Sequence, residues 1–288
     1  MKFDTFIVPF RELSFFAAAQ PTDRNRRMLE SAHYPSLNAA GTAMSAQISR
    51  SLIKNLELFR ALSDDNLDAA LEQAQTLRVE EGGVVFQQGE EATRFFVLLH
   101  GHLKVVQITP EGEQVVVRYV NPGDVFGIAH AMRRSHYPAT TVAAQESLIL
   151  AWPDAEWDKL IRSNPQFASF ALQTVGQRLQ DAHSRIRELS TEEVEQRVAR
   201  AILRLVDESG EQTPEGIEIE FPITRQDIAE LTGTTLHTVS RLLSAWKDRG
   251  LVSTGRKRVI VRSMDELIRL AEGPQHTPRH APTVRPQD

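Results

Sequence analysis

Residues 224–251, TRQDIAELTGTTLHTVSRLLSAWKDRGL, contain the side chains best suited to reading a DNA sequence. Helical spacing in the second half of this segment places polar and cationic groups on one face: His237, Ser240, Arg241 and Lys247. The opposite face would bury three apolar side chains: Val239, Leu242 and Leu243. Because the polar groups can donate to or accept from base edges and phosphates, this face has the chemistry of a DNA-reading helix.

The first half of the segment predicts a shorter helix and a tight turn. Thr224 can cap the helix start, with Asp227 as the returning partner of a capping box. Ala229 is small enough to let a second helix approach, and Gly233 suits a helix end that needs a positive φ. Two helices joined in this way are typical of a DNA-binding helix-turn-helix, whose second helix lies in the major groove. The alternative is an ordinary helical hairpin within a larger core.

The next residues, 252–262 (VSTGRKRVIVR), alternate as a two-stranded hairpin would and predict a turn at Thr254–Gly255. Three cations adjoin that turn: Arg256, Lys257 and Arg258. They could form a solvated surface, but directly after a DNA-reading helix they are well placed to meet phosphates. The whole chain has a formal net charge of −5, so this basic wing is a local feature.

Length and composition narrow the class of protein. The chain has 288 residues, enough for two domains, and its apolar and charged fractions are those of a globular protein. It contains no cysteine, which excludes disulfides, thiol chemistry and cysteine-ligated iron–sulfur clusters. No apolar run is long enough to span a bilayer, and the first residues make a poor signal peptide, so we expect a cytoplasmic protein without a membrane partner. No nucleophile–base pair, phosphate loop or metal-ligand spacing suggests an enzyme.

Upstream, the periodicity changes along the chain. A helical pattern starts near residue 47, and Ser63 can cap a short helix over 62–75. Residues 76–152 hold short β-branched, Leu and Phe runs separated by glycines and prolines, which favours a compact antiparallel roll or barrel. A short helix over 154–163 and a longer helix opened by Pro165 follow.

The longer helix carries a heptad seam. Seven apolar residues follow one another at spacings of four and three: Ala168, Leu172, Val175, Leu179, Ala182, Ile186 and Leu189. This spacing predicts a dimer interface with a parallel partner helix, and five polar residues lie off it: Gln173, Gln177, Arg178, Asp181 and Arg185. The alternative is an amphipathic helix packed on its own domain.

These patterns predict an α+β protein with an N-terminal cyclic-nucleotide-binding-like β-roll, a long dimerisation helix and a C-terminal winged helix-turn-helix. The first 46 residues form an extension that could be a disordered arm, a docking segment or an over-long start before Met44. The expected bounds of the other parts are 47–164 for the roll sensor domain with its flanking helices, 165–190 for the dimerisation helix, 191–272 for the DNA-binding domain and 273–288 for a disordered tail.

This order of parts resembles the CRP/FNR superfamily of bacterial transcription regulators. The resemblance covers roughly residues 50–272 and rests on FRALSDDNLDAA, GGVVFQQGEEATRFFVLLHGHLKVV, YVNPGDVFG and PITRQDIAELTGTTLHTVSRLLSAWKDRGLV. Within it, GTTLHTVSRLL looks most like nitric-oxide-responsive regulators of denitrification. The resemblance implies a homodimer that binds double-stranded DNA at a two-fold symmetric site, an effector domain that controls DNA binding, and RNA polymerase as a partner if the protein is an activator. The rival is a ligand-binding signalling module whose helix-turn-helix docks a protein.

The resemblance also implies roles at the DNA. By motif position, Arg241 should contact a guanine through O6 and N7. The full set of expected base contacts is Leu236, His237, Ser240 and Arg241. The expected phosphate contacts are Thr224, Arg225, Gln226, Thr235, Thr238, Arg256, Lys257 and Arg258.

The effector is inferred partly by exclusion. Members that bind cyclic AMP keep a Gly-Glu pair and an Arg-Ser pair, whereas here Gly127 precedes Ile128 and the second pair is Pro138–Ala139. We therefore expect no cyclic AMP response, because the cyclic phosphate would lack its main charge partner. The remaining alternatives are a haem or gas sensor, another organic ligand, or none. The haem-ligand candidates are His100, His102, His130 and His136. A haem-binding, gas-sensing branch of the family keeps its ligand one position before His130, where this chain has Ala129.

Overall fold

The computed structural model describes residues 53–273 apart from 55, 61 and 164. The predicted N-terminal extension over 1–46 and nearly all of the predicted tail therefore lie outside the described residues. Two short helices open the described part: α1 (Glu57–Arg60) and α2 (Asp64–Glu72). Ser63 caps α2 as predicted, because its Oγ accepts a hydrogen bond from the Asn66 N–H at 3.3 Å.

The next part is the predicted β-roll. Its strands are β1 (Gln75–Val79), β2 (Val84–Phe86), β3 (Arg94–His100), β4 (Leu103–Ile108), β5 (Gln114–Val120), β6 (Val125–Phe126), β7 (Thr140–Ala143) and β8 (Ser147–Pro153). They form two four-stranded antiparallel sheets, with strand orders β1-β8-β3-β6 and β2-β7-β4-β5. The inward residues of both sheets build the core between them, which includes Leu98, Leu103 and Ile149.

Helices then lead away from the roll. A short 3₁₀ turn (Asp154–Glu156) continues into α3 (Trp157–Ser163), and the long helix α4 covers Pro165–Thr191, starting at the predicted proline. Helix α5 (Val194–Ser209) begins with a capping box between Glu193 and Gln196. We call α4 the seam helix.

Besides α5, the C-terminal domain contains three helices and a four-stranded sheet. The helices are α6 (Arg225–Thr232), α7 (Leu236–Asp248) and α8 (Met264–Glu272). The strands are β9 (Gly210–Thr213), β10 (Gly216–Ile219), β11 (Val252–Gly255) and β12 (Arg258–Val261), in the order β11-β12-β10-β9. Sequence reasoning missed β9 and β10. Strand β9 is short and polar, whereas the alternation of Ile217 and Ile219 in β10 could have identified that strand.

The wing hairpin is present, but the prediction of its turn at Thr254–Gly255 is wrong. Gly255 still pairs with Arg258, so the turn residues are Arg256 and Lys257. Lys257 takes a left-handed φ of 56°, which lets the two-residue turn close without a glycine at that position.

The DNA-binding domain packs on the β2-β7-β4-β5 sheet of the roll. One continuous core joins the roll residues Val116 and Tyr119 to Phe221, Ile228 and Trp246. The rings of Tyr119 and Phe221 lie 4.5 Å apart. Consequently the roll contacts the helix-turn-helix directly. No helix among the described residues has the length and hydrophobicity needed to cross a membrane.

Candidate nucleic-acid interface

The turn between α6 and α7 has the geometry that the sequence predicts. Thr224 and Asp227 form a reciprocal capping box: the Thr224 N–H donates to Asp227 Oδ2 at 2.9 Å, and the Asp227 N–H donates to Thr224 Oγ1 at 3.0 Å. Gly233 ends α6 with φ 63° and ψ 45°, a left-handed conformation that favours glycine. Ala229 is buried where the two helices approach. The predicted motif residues therefore define the angle between the helices.

Helix α7 presents the predicted DNA-reading face. Thr235 caps it, with its Oγ1 accepting from the Thr238 N–H at 3.2 Å. Of the expected base contacts, Leu236, His237 and Arg241 are exposed and Ser240 is half-buried. These four residues share the outer side of the first two turns, which is where a recognition helix meets base edges.

The buried face of α7 differs from its prediction at one position. Val239 and Leu243 are fully buried, but Leu242 is only half-buried and Trp246 is the third anchor. The Trp246 Nε1–H donates to Glu195 Oε1 of α5 at 2.9 Å. The spacing of seven from Val239 could have identified Trp246 as a core residue.

The start of α6 faces two environments. Arg225 and Gln226 are exposed, whereas Thr224 is half-buried against the roll. Asp227 forms a largely buried ion pair with Lys104 of β4, at 2.8 Å. Burial opposes ionisation of Asp227, but Lys104 and the bonds from Thr224 outweigh it and hold the pKa of the carboxyl below its usual range. This pair holds α6 against the roll.

The three wing cations lie in different surroundings. Arg256 is exposed at the turn. Lys257 Nζ lies 2.5 Å from Glu81 Oε1 of the roll, and Arg258 makes two bonds to Glu218 of β10, at 2.5 and 2.6 Å. Any phosphate contact by Lys257 or Arg258 would therefore compete with a carboxylate of the same chain.

The predicted seam is an apolar stripe on the outside of the protomer. Its large residues are all exposed: Leu172 (74%), Val175 (38%), Leu179 (57%), Ile186 (62%) and Leu189 (48%). The opposite side of the helix contacts its own protomer, through buried Phe167 and Glu188 for example. An apolar stripe of this length is unusual on a free surface and fits an interaction site.

The residues at the predicted cyclic-nucleotide positions are apolar and packed. Ile128 and Ala139 are buried, and the Pro138 carbonyl accepts from Gln107 Nε2 at 3.0 Å. Stacked rings line the adjoining roll core, and the shortest separation is 3.9 Å, between Phe86 and Tyr137. The roll interior is thus an aromatic core at these positions.

The four candidate haem ligands do not converge on one site. His100 and His136 are exposed, and the His136 Nδ1 lies 2.8 Å from Ser135 Oγ. His130 is paired with Asp154 at 2.6 Å. His102 is buried beneath Phe221, and burial, with His100 nearby, lowers the pKa of His102 to about 4. These surroundings separate the four histidines, and among the described residues no group of three metal-binding side chains occurs.

Strand alternation predicts that His100 and His102, two residues apart, share one face, and this prediction is wrong. Strand β3 ends at His100 and β4 begins at Leu103, so the two histidines flank a tight turn rather than belonging to one strand. Gly101 makes this turn with a φ of 88°. The turn leaves His100 exposed and buries His102.

Both halves of the chain match known domain families. Residues 76–164 match the cyclic nucleotide-binding domain, and residues 196–270 match the Crp-like helix-turn-helix domain. Together the two matches cover more than half of the chain, in the order expected from the sequence.

Individual relatives agree with these matches. The chain is 28% identical to the cyclic AMP receptor protein of Thermus thermophilus over 221 residues, which are 77% of this chain and 99% of the relative. It is also 28% identical to the global nitrogen regulator of Synechococcus elongatus over 208 residues, covering 72% and 91% of the two chains. The crystal structure of a CRP-family transcriptional regulator from Thermus thermophilus superposes with a TM-score of 0.59 at 25% identity, covering 68% of this chain and 96% of that one. Because the roll and the helix-turn-helix match these domain families, and because the relatives share both, the chain belongs to the CRP/FNR family of DNA-binding transcription regulators.

Proposed function

We propose that the protein acts as a homodimer that binds double-stranded DNA at a two-fold symmetric site and regulates transcription without cyclic AMP. The observation that carries this proposal is the pairing of an exposed reading face on α7 with an exposed apolar seam on α4. A seam that pairs in parallel would present two copies of Arg241 on one side of the dimer, and symmetric half-sites are the matching DNA target. We place this regulator in the cytoplasm, with RNA polymerase as its partner where it activates, and we assign it no enzymatic reaction.

Binding-site selection on random duplexes, followed by anisotropy titration of the selected site, tests the proposal. We expect a palindromic consensus and a stoichiometry of two chains per duplex. Binding without sequence preference would contradict it and would favour a helix-turn-helix that docks a protein.

A candidate ligand site of this proposed regulator lies away from the aromatic roll core. A cavity of about 700 Å³ lies between the seam helix, the β5–β6 turn and α5, and it is lined by Arg118, Arg178 and Glu208 among others. Burial and the nearby Arg118 lower the pKa of Arg178 to about 9. A polar ligand in this cavity would touch the roll, the seam helix and the DNA-binding domain together.

We expect cyclic AMP to give no binding isotherm at micromolar concentrations. Ile128, Pro138 and Ala139 offer the cyclic phosphate no charge partner, and two of them belong to the packed core. Isothermal titration calorimetry measures this directly, with an established cyclic-AMP-binding regulator as the positive control. A micromolar isotherm would restore a cyclic-nucleotide pocket to the roll.

The suggested response to nitric oxide or oxygen status stays a prediction. An absorption spectrum of the purified protein, with and without added haem, tests it. A haem band that changes with nitric oxide would support the prediction, and an unchanged spectrum would count against haem as its basis.

Lys257→Ala should weaken binding to all DNA sequences alike. The logarithm of the DNA-binding constant falls linearly with the logarithm of the salt concentration, and each phosphate contact adds about 0.9 to the steepness of that fall. We therefore expect the fall to become less steep by about 0.9 per subunit in the variant. Titrations at several salt concentrations on selected and random duplexes measure it. Lys159→Ala is the matched control, since it removes an equal charge from α3, outside the DNA-binding domain. A changed base preference in Lys257→Ala would contradict the assignment.

A further inference from the structure

Arg185 joins three parts of the protein at one point. It projects from the seam helix, and its guanidinium donates to the carbonyls of Val117 at 2.7 Å and Val116 at 2.9 Å on β5. The same group also donates to the carbonyl of Leu231 on α6. A single side chain therefore ties the seam helix to the roll and to the first helix of the helix-turn-helix.

The acceptors on the roll are backbone groups that the sheet leaves available. Strand β5 lies at the edge of its sheet. Its pairing with β4 shifts register where Val105 faces Arg118 and Val106 faces Val116, so Val117 is the extra residue of a bulge. A bulge leaves backbone groups without ladder partners. Arg185 supplies the donors for this site on the edge strand.

The acceptor on α6 is a carbonyl of its last turn. Such carbonyls have no partner within the helix, and the negative end of the helix dipole favours a cation beside them. Arg197 of α5 serves the next carbonyl, since its Nε–H donates to Thr232 at 3.2 Å. The turn that starts at Gly233 is thus anchored by two arginines, one of them from the seam helix.

Packing reinforces this anchor. A Cβ built at Gly233 would lie 3.1 Å from Leu189 Cδ2, so the end of the seam helix presses closely on the helix-turn-helix turn. Leu189 also belongs to the predicted dimer seam. A change in the way two seam helices pair would therefore be transmitted to the turn that orients α7.

We propose that Arg185 is a positioning residue that sets the distance between the two recognition helices of the dimer. The proposal rests on the proposed dimeric DNA-binding function. This role requires the planar guanidinium, whose several N–H donors can reach three separated carbonyls at once. The ammonium of a lysine is a compact point charge and could not match all three. Arg185 itself would contact neither DNA nor the partner helix.

The absence of cysteine from the chain allows a direct distance measurement. The substitution Ser244→Cys, at an exposed position of α7, allows one spin label to be attached to each protomer. Double electron–electron resonance then measures the distance between the two recognition helices of the dimer in the absence of DNA. We expect a narrow distribution in the otherwise unchanged protein and a broad or displaced one when Arg185→Gln is added. Arg187→Gln, two residues along the same helix, removes an equal charge from an exposed position and should keep the narrow distribution.

DNA provides the second readout. The unchanged protein should bind more weakly to duplexes in which the spacing between half-sites differs by one or two base pairs from that of the selected site. Arg185→Gln should reduce that discrimination roughly tenfold, the scale of a lost charged hydrogen bond, while binding to one half-site stays the same. If Arg185→Gln does not fold, Arg185→Lys carries both tests, because it keeps the charge and loses the fork.

The outcomes separate the two proposals. A folded, dimeric Arg185 variant with an unchanged distance distribution and spacing preference would overturn the positioning role and leave the proposed function standing. A monomeric, DNA-indifferent protein before any substitution at Arg185 would overturn the proposed function and the positioning role with it.

Discussion

Leu179→Asp is expected to turn the dimer into a monomer and to weaken binding to a palindromic site severely. Leu179 is 57% exposed in the protomer and central in the seam, so pairing would bury two unpartnered carboxylates face to face. An uncompensated buried charge costs on the order of 3–5 kcal/mol, which corresponds to a rise in the dimer dissociation constant of roughly a hundred- to several-thousand-fold. Analytical ultracentrifugation and anisotropy titrations measure both effects.

The control for this prediction is Gln180→Asp. It introduces the same charge at the next, exposed residue of the seam helix, one position off the seam, and should leave the dimer intact. If Leu179→Asp keeps both the dimer and its DNA affinity, the interface lies on another surface.

Arg241→Ala should weaken DNA binding by about 1–3 kcal/mol of binding free energy per half-site. Most of this loss should come from a weaker preference for guanine at a single base pair. Its side chain is exposed one turn after His237, on the outer face of α7. A guanidinium there can reach O6 and N7 of a guanine together, which no other base offers. Because Arg241 takes no part in the core, the variant should keep its fold and its dimer.

Binding-site selection on the original protein and on Arg241→Ala measures the loss of preference. Lys247→Ala is the matched control, since it removes an exposed cation from the C-terminal end of the same helix and should leave the base preference unchanged. An unaltered consensus in Arg241→Ala would assign the reading role to another residue.

Much of the helix-turn-helix could be predicted from the sequence because its determinants are local. The capping box of Thr224 and Asp227 and the left-handed Gly233 depend on residues within one helical turn of each other. The exposed seam likewise follows from a heptad period within one helix, and the roll from short strands punctuated by glycine. The sequence also excludes one class of cofactor site, because a chain without cysteine cannot hold a cysteine-ligated iron–sulfur cluster.

Only the tertiary structure decided how the parts are joined. Lys104 and Asp227 are 123 residues apart, and no local pattern predicts their ion pair. The same is true of Arg185, which the heptad marks only as a polar off-seam residue, yet its partners lie on β5 and α6. The engagement of Lys257 by Glu81 and the burial of His102 under Phe221 also arise where two domains meet. Local periodicity determines elements and their exposed faces, whereas contacts between distant segments depend on how the packed elements are finally placed.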